Sequence, residues 1–117
     1  MSEKFKVPRK ITPEEFYQSF LPRFVAEHLA EHPDFRQIEI TVAMELTGDE
    51  ELGGTWRLRL SGGRLTVDAG RADGADVVVT QDVEDWREGL KESNGTPIAE
   101  IEKRLAGAAK RVEAFKR

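Results

Sequence analysis

Residues 38–67 read IEITVAMELTGDEELGGTWRLRLSGGRLTV, and this stretch decides the fold. Ile38, Ile40, Val42, Met44 and Leu46 alternate with Glu39, Thr41, Ala43 and Glu45. That period of two is the mark of a strand with one dry and one wet face. After an acidic loop carrying Asp49, Glu50 and Glu51, Trp56, Leu58 and Leu60 alternate with Arg57 and Arg59 to give a second strand. Ser61-Gly62-Gly63 then reads as a tight hairpin turn, the glycines supplying positive φ. Leu65, Val67 and Ala69 make a third strand, and Val77-Val78-Val79 a fourth. Strands joined by short turns predict a mainly antiparallel sheet with one solvated face.

Outward from the sheet, the pattern becomes helical. Upstream, Thr12-Pro13-Glu14-Glu15 spells a capping box with proline at the first helical position. Phe16, Phe20, Phe24 and Leu29 follow as an apolar stripe, interrupted at Pro22, which lacks the N–H for the Gln18 carbonyl. The expectation is a kink or two short helices ending near His32-Pro33. Downstream, Asp82 opens a helix with Val83, Trp86 and Leu90 on its inner face, closed by Ser93-Asn94-Gly95. Ile98, Ile101, Leu105, Ala108, Val112 and Phe115 continue at helical spacing, with a short strand over 101–105 as the alternative. The order predicts an α+β, two-layer domain: a four- to five-stranded sheet covered on one face by helices. Residues 1–11, with Lys4, Lys6, Arg9 and Lys10 around Pro8, read as a basic arm, and 12–117 as a single domain.

The chain has 117 residues, 18 basic against 22 acidic, and a net charge of −4. That balance argues against a phosphate-backbone grip on nucleic acid, which needs clustered positive charge. The absence of cysteine excludes disulfides, thiol nucleophiles and thiolate metal sites, and suits a cytoplasmic protein. No apolar run exceeds three residues, too short for a spanning helix.

Catalytic groups are scarce. His28-Leu-Ala-Glu31-His32 matches the inverted zinc motif, but Pro33 follows at once and puts His32 at a helix end. Asp73, Gly74 and Asp76 lack the spacing and closing glutamate of a calcium loop. Neither glycine pair is followed by the lysine and helix of a phosphate loop. The chain therefore reads as non-catalytic, with no metal and no cofactor. Lys103, Arg104, Lys110, Arg111 and Arg117 make the last segment basic, which is ordinarily a solvated helix face and otherwise suits transient contact with an anionic membrane surface.

Residues 54–90 resemble the sterol carrier protein 2 family. Gly54-Thr-Trp56-Arg-Leu58-Arg-Leu60-Ser-Gly62-Gly63-Arg-Leu65-Thr-Val67 is similar to its tryptophan strand, glycine turn and return strand. Ala75-Asp76-Val77-Val78-Val79 and Asp82-Val-Glu-Asp85-Trp86-Arg-Glu-Gly89 resemble the next strand and helix start. The sequence departs from the family over Glu100–Gly107, where a further strand is usual. The resemblance implies a twisted sheet, helices on one face, and between them an apolar space for fatty acyl, acyl-CoA or sterol-like ligands. On that reading Phe20, Phe24, Met44, Trp86, Leu90, Ile101 and Leu105 would line the space, and Arg104 or Arg111 would face an acidic headgroup. The protein would be a lipid-binding or lipid-transport domain. The alternative is a protein-interaction or dimerisation module of the same fold with its core filled, and oligomers are compatible with either.

Overall fold

The computed structural model describes residues 3–115. Its first helical run begins where the capping box placed it: the Glu15 N–H donates to the Thr12 hydroxyl at 3.1 Å, and the Glu15 carboxylate accepts the Thr12 N–H at 3.4 Å. Pro13–Glu15 (α1) leads into a π-helical turn, Phe16–Phe20, and then Leu21–His28 (α2). The helical turns run on without a break through Pro22 and end at His28, short of the expected His32-Pro33. The Leu21 N–H bonds to the Phe16 carbonyl, five residues back, and the widened turn places proline at the start of α2, where a missing donor is tolerated. His32-Pro33 opens a further short helix, Pro33–Arg36 (α3), with proline again in the first turn.

The sheet comprises Glu39–Thr47 (β1), Gly54–Ser61 (β2), Arg64–Ala69 (β3) and Val77–Asp82 (β4), in the order β3-β2-β1-β4. Two pairings are antiparallel, with Met44 opposite Trp56 and Leu58 opposite Val67. The third, β1 with β4, is parallel, with Met44 opposite Val79, so the sheet is mixed and not a plain meander. Residues 70–76 make the crossing from β3 to the far side of β1. The Arg57 guanidinium holds them against the outer face, donating to the Asp68 carboxylate at 2.7 Å and to the Asp73 carbonyl at 3.2 Å. Ala43, the register partner of Arg57 on one side and of Val78 on the other, belongs to the outer set yet is fully buried. Arg71 bonds to Asp73 as well, and that bond holds the Asp73 carboxyl down at about 2.

Val83–Ser93 (α4) is capped by the Asp82 side chain, which accepts the Glu84 N–H. Ile98–Phe115 (α5) runs unbroken through Gly107, so residues 101–105 are helix and the sheet stays four-stranded among the described residues. The basic arm is not loose. Phe5, Val7 and Ile11 are buried, and Phe5 sets its ring edge-on to Phe20 and Phe24 at 5.7 and 5.5 Å. Its backbone is tied to the link between α4 and α5, the Phe5 N–H donating to the Thr96 carbonyl and the Val7 N–H to the Asn94 side chain. Met1 and Ser2 of the arm, and Arg117 at the other end, lie outside the described residues. No described helix is long and apolar enough to cross a membrane.

One turn locks the hairpin under the helices. Gly63 has φ +84°, and a Cβ there would sit 2.7 Å from the Ala30 carbonyl oxygen. Gly63→Ala is expected to lose about 3 kcal/mol in urea titration, left-handed strain adding to overpacking. Gly62→Ala, also at positive φ but with nothing within 4 Å, is expected to lose only about 1 kcal/mol.

Candidate functional site

Between the helices and the inner face of the sheet lies an apolar cavity of about 350 Å³. The first helical run contributes Phe16 and the ladder Tyr17, Leu21, Val25, Leu29, each four residues apart and so on one face. Phe35 comes from α3. The sheet supplies its inward set: Ile40, Val42 and Met44 from β1, Leu58 and Leu60 from β2, and Leu65 from β3. On the far wall α5 presents Leu105, Ala108, Ala109 and Val112. Two adjacent alanines there leave room that leucines would have filled. Val25, Leu29, Phe35, Ile40 and Leu60 are buried, whereas Met44, Leu58, Leu65 and the α5 residues are half-buried, which marks the accessible side.

The one polar group on this lining is the Tyr17 hydroxyl. Burial pushes its pKa up to about 12, and the neighbouring Trp86 side chain acts in the opposite direction. The Tyr17 ring stacks on Trp56 at 5.3 Å. Trp56 is itself buried, and its indole N–H has no hydrogen-bond partner among the described residues.

The residues singled out from sequence are dispersed. Met44 and Leu105 line the cavity. Phe20 and Phe24 sit on the other side of the first helical run, against Phe5, and floor a surface hollow of about 430 Å³ with Lys4, Lys6, Arg23 and His28 on it. Trp86 and Leu90 line a third hollow beside the arm. Ile101 is core, one turn before Leu105, and lines none of these spaces. Arg104 pairs with Glu100 at 3.3 Å and is well exposed; Arg111, seven residues on, shares its flank of α5, roughly 100° round the helix from Leu105.

Sequence reasoning missed most of the lining. For the strands the signal was present, since the cavity takes the inward set of the alternation. On the first helical run, the aromatic ladder Phe16-Phe20-Phe24 drew attention away from the aliphatic ladder beside it. The zinc-like motif is not assembled, because α2 ends at His28 and His32 caps the next helix. The His28 ring lies against Phe24, tilted by 40° with centroids 4.7 Å apart, and comes within 3.9 Å of Glu102. Among the described residues, no three metal-ligating side chains come together.

No protein-family model and no curated protein matches the chain. Among solved structures, it is similar to the solution structure of TT1886 from Thermus thermophilus, a conserved hypothetical protein described as a candidate sterol carrier protein. The alignment has a TM-score of 0.54 at 20% identity and covers 97% of this chain and 92% of that one. At that identity the likeness is one of architecture: the chain has the α+β, sterol-carrier-like fold.

Proposed function

We propose that the protein binds a single lipid chain in the cavity between sheet and helices and performs no chemistry on it. The observation that carries this reading is the cavity itself, about 350 Å³ with a lining that is apolar apart from the Tyr17 hydroxyl. That volume falls in the lower part of the range for ligand pockets, roughly 300–1,000 Å³. At about 30 Å³ per chain carbon, close to a water's share of the liquid, it has room for roughly a dozen carbons. A fatty acyl chain suits it better than a whole sterol or a two-chain phospholipid. Each methylene removed from water contributes about 0.8 kcal/mol, so the chain alone can supply most of the affinity. Arg104 and Arg111, on one flank of the wall that bears Leu105, are the cations we assign to an acidic headgroup. The likeness to a candidate sterol carrier protein supports the same reading. The space between the layers also favours it over the interaction module with a filled core.

Ala109→Phe tests it. The larger side chain occupies the cavity from α5, displacing roughly four chain carbons, and is expected to weaken binding of a fluorescent fatty acid about a hundredfold. Thermal stability should hold or rise, since a void is filled. Equal uptake by both proteins, or no saturable uptake by either, would overturn the proposal.

A further inference from the structure

The hollow beside the arm has a character of its own. It measures about 250 Å³ and lies where residues 7–11 cross α4. Its floor is apolar, built by Ile11, Trp86 and Leu90, and its charged lining residues are Arg9, Arg87 and Lys91. Among the described residues no carboxylate lines it. Neither Arg9 nor Arg87 has an ion-pair partner among them, and Lys91 has only an exposed contact with Glu88 at 3.5 Å. In a chain of net charge −4, three cations around one greasy floor, two of them unpaired, make a local cluster of positive charge.

We infer that this hollow is a second binding site, for a small amphipathic anion: a compact aromatic or short aliphatic body carrying one carboxylate or phosphate. The body lies on Trp86 and Leu90, and the anionic end meets the guanidinium groups of Arg9 and Arg87. Guanidinium is suited to this because its planar fork of donors can meet two oxygens of one anion at once. The site is built by burial of the arm: the Val7 N–H, bonded to the Asn94 side chain at 2.8 Å, holds Arg9 over α4. It does not depend on the acyl cavity. The ring of Trp86 meets Phe16, which lines that cavity, edge-on at 5.7 Å, so aromatic side chains stand between the two spaces.

The test titrates the intact protein with naphthoate and with naphthyl phosphate, followed by nitrogen–proton correlation spectra. Naphthamide serves as the neutral control. Either anion is expected to shift the Trp86 indole and the Val7 and Asn94 signals saturably, and the tighter of the two names the headgroup. Arg9→Glu combined with Arg87→Glu, both exposed positions, should weaken the binding at least about tenfold with melting unchanged. Lys91→Glu provides a second, single-site check in the same direction. Ala109→Phe should leave it untouched, which separates this site from the acyl cavity. Equal binding of naphthamide, insensitivity to the charge reversals, or loss of binding in Ala109→Phe alone would overturn the inference.

Discussion

Trp56→Ala is expected to lower stability by about 4 kcal/mol, within the usual range for removing a large buried aromatic. Its melting temperature should fall by about 15 °C. Trp56 is 5% exposed on the inner face of β2, stacks on Tyr17, and packs its six-membered ring over Gly54. The ring, not the nitrogen, supplies that stability. An indole N–H that is buried without a partner opposes folding, by about 1–3 kcal/mol. Trp56→Phe gives up some contact area but also removes that donor, so it should cost only about 1 kcal/mol. Trp86→Phe should cost more, because the Trp86 N–H is not a buried, unpaired donor and its ring packs against both Phe16 and Tyr17. Chemical denaturation of the three variants checks the ranking. A Trp56→Phe protein as unstable as Trp56→Ala would show that the outline of the ring is not what matters.

Raising the pH should destabilise the fold through one residue that can be watched directly. Tyr17 is the chain's single tyrosine, so phenolate absorbance reports on it without overlap. Its pKa is raised from 10.0 to about 12 because burial disfavours the phenolate. In the unfolded chain the hydroxyl ionises near 10, while in the fold it holds its proton, so the associated stability is complete below pH 10. It is lost as the pH climbs toward 12. A shift of this size corresponds to about 3 kcal/mol. The phenolate signal should stay flat through pH 10 and rise only near 12, with loss of the near-ultraviolet dichroism of the tryptophans. Ordinary ionisation near 10 in a folded protein would refute the packing around Tyr17.

Much of the architecture was legible because short-range chemistry dictates it. The alternation over 38–46 and 56–60 can serve only a sheet with one dry face, and Thr12 to Glu15 announces a helix start whatever lies elsewhere. The parallel placement of β4 was not legible. It needs residues 70–76 to cross to the far side of β1, where Arg57 meets the Asp73 carbonyl and Asp76 bonds to Thr41, contacts that no local pattern encodes. The arm was half legible: its lysines and arginines were conspicuous, but the alternation of Phe5 and Val7 with Lys4 and Lys6 also signalled a buried edge. The cavity was the least legible feature. Phe20 and Phe24 look like better wall residues than Leu21 and Val25, yet they turn to the arm, and the aliphatic ladder through Tyr17 and Leu29 faces the sheet. Hydrophobicity says that a side chain leaves water. It does not say which of two dry spaces receives it.

The arm also bears on how the chain matures. Val7 finds its partner Asn94 across 87 positions of sequence, and Phe5 bonds to Thr96. A polypeptide emerging from the ribosome therefore leaves the backbone of its arm unpaired until residues 94–96 have been made, although Phe20 and Phe24 are available to the Phe5 ring earlier. Early collapse of the hairpin cannot supply those backbone partners, which lie on the link between α4 and α5. Docking of the arm is tied to the emergence of the link between α4 and α5, and a nascent chain stalled before Asn94 would be prey for chaperones.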